Sequence, residues 1–215
     1  MIKEKRLPLG LALGGGAFRG IAHLGVLKAL EEEGLRPGYL SGTSAGAMAA
    51  AFYSFGMAPE EIRKLARSLR WIKATNLTFS KLGLLSNNEI GKFIQKYLGD
   101  VLIEDSLIPL AIVAADISSG EKIVFKTGNL ADAIVASTCI PGVFMPARVN
   151  GRMLVDGAIV ENVPVKVVQE MGAKVCIGVD LSSGGYSQPE SVVEVLLNAF
   201  SIAIDRKSYQ HCFKA

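Results

Sequence analysis

The sequence has little histidine, little cysteine and no long uninterrupted hydrophobic run, and each shortage excludes a class of protein. Two of 215 residues are His and three are Cys. Cys139, Cys176 and Cys212 are odd in number, widely spaced and without a C-x-x-C pair, so neither a disulfide framework nor a zinc site is indicated. Reduced thiols of a cytoplasmic protein are the expectation, with no metal and no cofactor. The net charge of +3 is too small to call for a nucleic-acid partner. Pro37 to Pro59 carries no charge, but its Gly, Ser and Thr content fits a buried strand-turn-helix rather than a membrane span. Lys3, Lys5 and Arg6 precede the apolar run from Leu7 to Leu13. Glu4, Pro8 and the glycines that follow make that run a buried first strand rather than a secretory leader.

What is present is an apolar half of the composition, 50% of residues, enough to bury the core of one domain. No repeat, low-complexity tract or linker divides the chain. Strands are expected at Leu7 to Leu13, Leu110 to Ala115, Lys122 to Phe125, Arg152 to Val155 and Val175 to Val179. Helices are expected over Phe18 to Glu33, Pro59 to about Ile72, Asn87 to Tyr97, Leu130 to Ser137, Pro164 to Met171 and Val192 to Tyr209. Such alternation implies an α/β protein of three layers, α/β/α, around a mostly parallel central sheet.

Three short patterns carry chemistry. Gly42-Thr43-Ser44-Ala45-Gly46 reads G-x-S-x-G between the strand-like Tyr39-Leu40-Ser41 and the helix-forming Ala47 to Phe52. That is the sequence of a serine elbow, whose tight turn needs small residues around the nucleophile. Gly14-Gly15-Gly16 follows the first strand and opens the first helix, where backbone N–H groups can meet negative charge. It fits a phosphate-binding turn, an oxyanion hole or a plain tight turn; Arg19 stands where a dinucleotide fingerprint needs its last glycine. In an open α/β sheet both turns face one crevice. Ser44 then needs a base. His23 sits inside the first helix between Ala22 and Leu24 and reads as structural, while His211 lies at the end of the terminal helix. Asp156 follows an apolar strand and precedes Gly157-Ala158, so it is either the free carboxylate or a helix cap.

In this order, Gly14-Gly15-Gly16 with Arg19-Gly20, the Gly42–Gly46 elbow and Asp156-Gly157-Ala158 resemble the patatin-like phospholipase family. Ala136-Ser137, Ile140-Pro141-Gly142 and Phe144-Met145-Pro146 extend the likeness over nearly the whole chain. The resemblance implies a serine acyl hydrolase, of phospholipase A or lysophospholipase type, with a Ser-Asp dyad. Ser44 would be the nucleophile and Asp156 its base, and Gly14, Gly15 and Gly16 would form the oxyanion hole. Arg19, Gly42, Gly46, Gly157 and Ala158 would complete the motifs. It also implies one catalytic domain over residues 1–215. Bacterial members usually continue into a further strand, so an edge element of the sheet is expected to be missing after Lys214-Ala215.

Two other readings remain open at this level: acyl transfer to an acceptor other than water, and a regulatory binding protein on the same scaffold. The partner expected is a lipid or other acyl ester. The helix from Pro59 adds an expectation of peripheral membrane contact. It carries Arg63, Arg67 and Arg70 on one face, with Lys64, Trp71 and Lys73 nearby. The alternative for that helix is an ordinary surface helix packed on the core.

Overall fold

The structure is a computed structural model and describes residues 9–69, 77–80, 83–181 and 188–212. The chain runs β1 (Leu9–Leu13), a 3-10 turn (Ala17–Ile21), α1 (Ala22–Glu32), β2 (Tyr39–Thr43), α2 (Ala45–Ser54), α3 (Pro59–Leu69), β3 (Leu77–Ser80), β4 (Gly83–Leu85) and α4 (Asn88–Leu98). It continues through β5 (Leu110–Asp116), β6 (Lys122–Phe125), α5 (Leu130–Ser137), β7 (Ala147–Val149), β8 (Arg152–Asp156), α6 (Val165–Glu170), β9 (Val175–Val179) and α7 (Val192–Cys212).

Strands β5, β2, β1 and β9 form a parallel core, in that order across the sheet. The flank is antiparallel: β6 and β8 both pair with β5, and β7 pairs with β8. The sheet is therefore mixed, with helices on both faces. A strand has two edges, and the register on β5 assigns them. Ile112 and Val113 face β2 on one side and β6 on the other, while Ala114 and Ala115 face β8 and β6. Strands β2 and β8 thus share one edge of β5, arranged end to end. They run toward each other, because β2 is parallel to β5 and β8 is antiparallel. Thr43 sits opposite Val113, and Asp156 opposite the next residue, Ala114. The C-terminal ends of β2 and β8 therefore meet at Thr43 and Asp156.

Alternation along the central strands sorts the layers. Leu11, Leu13, Leu40, Leu110 and Ile112 join Leu24 and Leu27 of α1 and Phe52 of α2 in the main core. On the opposite face Ala111 and Val113 meet Val167 of α6. Gly10 lets α6 close on β1: a β-carbon there would stand 2.7 Å from Cβ of Ala173 and 2.8 Å from Cβ of Val168. Ile62 of α3 is buried in the main core, and Arg63 is ion-paired with Glu60 one turn earlier. That helix therefore packs on the core through Ile62. Arg70, Trp71, Ile72 and Lys73 lie outside the described residues.

Two expectations shift in detail. The first helix begins as a 3-10 turn, where Gly16 and Gly20 give weak helix propensity. Strand β9 is apolar in sequence yet leaves Val175 60% exposed. It is an edge strand among the described residues, so hydrophobicity alone did not report its position. The β3–β4 hairpin and β7 were not expected; with strands of three or four residues they are too short to show a period.

Candidate active site

Ser44 stands between β2 and α2 with φ 55° and ψ −123°, a backbone conformation that side-chain-bearing residues rarely adopt. Holding it costs about 1–3 kcal/mol, which the surroundings must supply. The supports are specific. The Ser44 N–H donates to Oγ of Ser137 at 2.9 Å, and that hydroxyl donates onward to the Val113 carbonyl at 2.7 Å. Below the turn, Ser41 donates to the Pro164 carbonyl at 2.9 Å and Thr43 to the Glu161 carbonyl at 3.1 Å. These buried hydroxyls fasten β2 to the segment that follows Asp156.

The elbow glycines are required by close approach. A β-carbon on Gly46 would lie 2.1 Å from the Leu13 carbonyl oxygen, and one on Gly42 would lie 2.5 Å from Cα of Ala47. Both obstacles are backbone and cannot rotate away. Gly46→Ala is expected to destabilise the fold by about 3 kcal/mol or more, as overpacking against fixed atoms does. Urea unfolding followed by circular dichroism checks this.

Asp156 ends β8 and is fully buried. Its N–H donates to the Cys139 carbonyl at 2.9 Å, and its Oδ1 accepts the Ala158 N–H at 2.9 Å. The carboxylate therefore does cap the 3-10 turn Gly157–Ile159, but with one oxygen only. Its Oδ2 is buried without a hydrogen-bond partner. Burial raises the pKa to about 7, against the smaller lowering effects of the Ser44 hydroxyl and the Ala158 N–H. The Ser44 side chain is thus near enough to favour the charged form without closing a hydrogen bond on Oδ2. Gly157 permits the turn, since a β-carbon there would lie 2.3 Å from the Val113 carbonyl oxygen.

The glycine turn lies alongside. A β-carbon on Gly15 would be 3.3 Å from Cβ of Ser44 and 3.6 Å from Cβ of Ala158. The three N–H groups are not equivalent, which narrows the expectation that all three line an oxyanion hole. Gly14 N–H donates to the Val179 carbonyl at 3.0 Å, extending the β1–β9 ladder. Gly15 N–H donates to Oδ1 of Asn162 at 2.9 Å. Among the described residues only Gly16 N–H of the three has no acceptor. The first N–H of α2, that of Ala45, is likewise outside the intrahelical ladder and adjoins Ser44.

The remaining sequence candidates take supporting places. Arg19 lies in the 3-10 turn, where its N–H donates to the Gly16 carbonyl at 2.9 Å. His23 is buried, with Nε2 2.7 Å from the Gly14 carbonyl oxygen. His211 is in α7, and its side chain lies outside the described residues. Burial pushes the Cys139 thiol up to about 12, so it stays protonated. Among the described residues no three His, Cys, Asp or Glu side chains gather as a metal site would need. In the sequence Ser137 figured only in the Ala136-Ser137 likeness, with no task assigned, and Asn162 did not figure. Each acts on a backbone group far away in the chain, a relation that no local pattern encodes.

Comparison with known proteins agrees with this architecture. A Mycobacterium bovis protein of the NTE family is 35% identical over 177 residues, 81% of this chain and 49% of its own length. Lysophospholipase NTE1 of Saccharomyces cerevisiae is 32% identical over 204 residues, which is 92% of this chain and 12% of that protein. The chain thus spans about half the length of the mycobacterial relative and far less of the yeast one. The crystal structure of VipD from Legionella pneumophila shares the fold, with a TM-score of 0.58 at 18% identity over 73% of this chain and 46% of that one. The family model for patatin-like phospholipases matches residues 11–168, which takes in the glycine turn, the serine elbow and the Asp156 strand. By that match the chain belongs to the patatin-like phospholipase family.

Proposed function

We propose that the chain is a serine acyl hydrolase of lipid esters, with Ser44 as nucleophile and Asp156 as general base. The observation that supports this most is the head-on meeting of β2 and β8 on one edge of β5, at Thr43 and Asp156. It brings a strained serine to a buried carboxylate with a free oxygen. In the first step Asp156 Oδ2 takes the Ser44 proton while Oγ bonds to the ester carbonyl carbon. The carbonyl electrons move onto oxygen, where the N–H groups of Gly16 and Ala45 receive the charge. Collapse of that intermediate breaks the ester bond, and the leaving alkoxide takes the proton from Asp156. A water then gives its proton to Asp156 and attacks the acyl-serine, releasing the acid and returning the proton to Oγ.

An ordinary carboxylate is a weak base near neutrality. A pKa raised to about 7 suits the task better, because a base works best near the ambient pH. The substrate class proposed is a phospholipid or lysophospholipid ester. Family membership and the similarity to lysophospholipase NTE1 of Saccharomyces cerevisiae support this. Among the described residues no helix is long and apolar enough to cross a membrane. Peripheral contact with a lipid surface is part of the same proposal, on the ground of the substrate class.

The test pairs a fluorophosphonate probe with lysophosphatidylcholine and a p-nitrophenyl ester series. Covalent labelling at Ser44 and release of fatty acid are expected. A folded protein that neither labels nor releases acid would overturn the reading.

A further inference from the structure

Polyglycine turns flip their peptide planes easily, because no β-carbon resists rotation. A flip exchanges an N–H for a C=O, which is ruinous where a donor must face a developing anion. Something must therefore hold the turn at Gly14–Gly16, and the structure contains the parts. The peptide unit that joins Gly14 to Gly15 is bonded at both ends by buried side chains. Its carbonyl, on Gly14, meets Nε2 of His23 at 2.7 Å, nine residues onward. Its N–H, on Gly15, donates to Oδ1 of Asn162 at 2.9 Å, from 147 residues away. His23 has no exposure and Asn162 only 9%.

A carbonyl only accepts, so His23 must carry its proton on Nε2. Nδ1 is then a buried lone pair, and it has no hydrogen-bond partner. Burial also lowers the His23 pKa, in keeping with a neutral ring. On the other side Asn162 lies six residues past Asp156, and its Nδ2 stands 3.5 Å from Oδ1 of Asp180. The carboxamide is therefore held between the glycine turn and the end of β9. Flanking bonds fix the neighbours: Gly14 N–H to Val179, and Arg19 N–H to the Gly16 carbonyl.

We propose that His23 and Asn162 are positioning residues that clamp the Gly14–Gly15 peptide from opposite ends and so hold the next N–H, that of Gly16, toward the Ser44 acyl oxyanion. This rests on the proposed hydrolase reading. The clamp gives the early histidine a task other than proton transfer, and it links the first helix to the loop after Asp156. Because both side chains act on one peptide, breaking either end frees the whole unit. Their losses should therefore overlap instead of multiplying.

Four variants, His23→Leu, His23→Gln, Asn162→Ala and the double variant His23→Leu with Asn162→Ala, are compared by steady-state kinetics on a p-nitrophenyl ester. His23→Leu and Asn162→Ala should each lower kcat by about 10- to 100-fold with KM changed less than about threefold, the scale of a misplaced oxyanion donor. His23→Gln, whose amide can reach the same carbonyl, should regain most of kcat. The double variant should lose little more than the worse single one. Multiplying losses, or a loss mainly in KM, would overturn the clamp.

Two measurements are independent of turnover. In the wild-type protein, ring nitrogen chemical shifts should report the Nε2–H tautomer, and the Gly15 amide should exchange slowly but speed up at least tenfold in Asn162→Ala. The opposite tautomer, or an unchanged Gly15 exchange rate, would also overturn the clamp. Where His23→Leu does not fold, His23→Gln and Asn162→Ala carry the kinetic test. A wild-type protein inactive on every ester would count against the hydrolase reading, while tautomer and exchange would still decide the clamp.

Discussion

Ser44→Ala is expected to lower ester hydrolysis by ~10³-fold or more while leaving the protein folded. The direction follows from chemistry: without Oγ no acyl-enzyme forms, and the carbonyl meets only water. The tolerance of the fold follows from geometry. The bond that holds the elbow runs from the Ser44 backbone N–H to Ser137, not from the Ser44 hydroxyl. Alanine keeps that N–H and meets the same positive φ that serine already endures. Circular dichroism and thermal melting should therefore be near wild type, with fatty-acid release and fluorophosphonate labelling both gone. A folded Ser44→Ala protein that hydrolyses esters at the wild-type rate would remove Ser44 from the mechanism.

Asp156→Asn is expected to abolish turnover to a similar extent and, unlike most buried substitutions, to stabilise the fold above pH 7. The carboxyl is fully buried, and its pKa rises from 3.8 to about 7. Between those values the folded state holds a proton that the unfolded state has lost. Stability therefore falls as pH rises across that window, and above it the folded protein carries an unfavourable buried charge. Asparagine removes the charge and keeps an oxygen for the Ala158 N–H. The gain at pH 8 is on the order of 2–4 kcal/mol, and it vanishes toward pH 4. Chemical denaturation of both proteins at pH 4 and pH 8 measures it. Activity runs the other way in the wild type, because the base must be ionised: kcat/KM should climb through about pH 7 to a plateau. An Asp156→Asn protein less stable than wild type at pH 8 would contradict the buried-charge account. One that is folded and fully active would contradict the dyad.

Much of the frame was legible because it is written in local signals. Strands β1, β2, β5 and β9 and helices α2, α5 and α6 lie within a few residues of where periodicity and turn chemistry set them. The G-x-S-x-G pattern announced an elbow because only glycines survive at Gly42 and Gly46, where backbone approaches within 2.5 Å of a β-carbon position. The lack of a histidine in a loop after a strand directed attention to Asp156, although the sequence left it readable as a cap as well. It is a cap through Oδ1 and a free acceptor through Oδ2, two roles that one carboxylate can hold together.

By itself the sequence determined the α/β class, the order of the three motifs and the candidates Ser44 and Asp156, since glycine placement and hydrophobic period are properties of short stretches. Tertiary structure decided what those residues are worth. Only the register on β5 puts β2 and β8 end to end, and only burial in that junction raises the Asp156 carboxyl to about 7. Only contacts across the fold show that the Gly14 and Gly15 N–H groups are already taken, that Ser137 holds the elbow, and that His23 and Asn162 meet one peptide. Hydrogen-bond partners and desolvation depend on what surrounds a group in space, and neighbours in space are fixed only once the chain has closed.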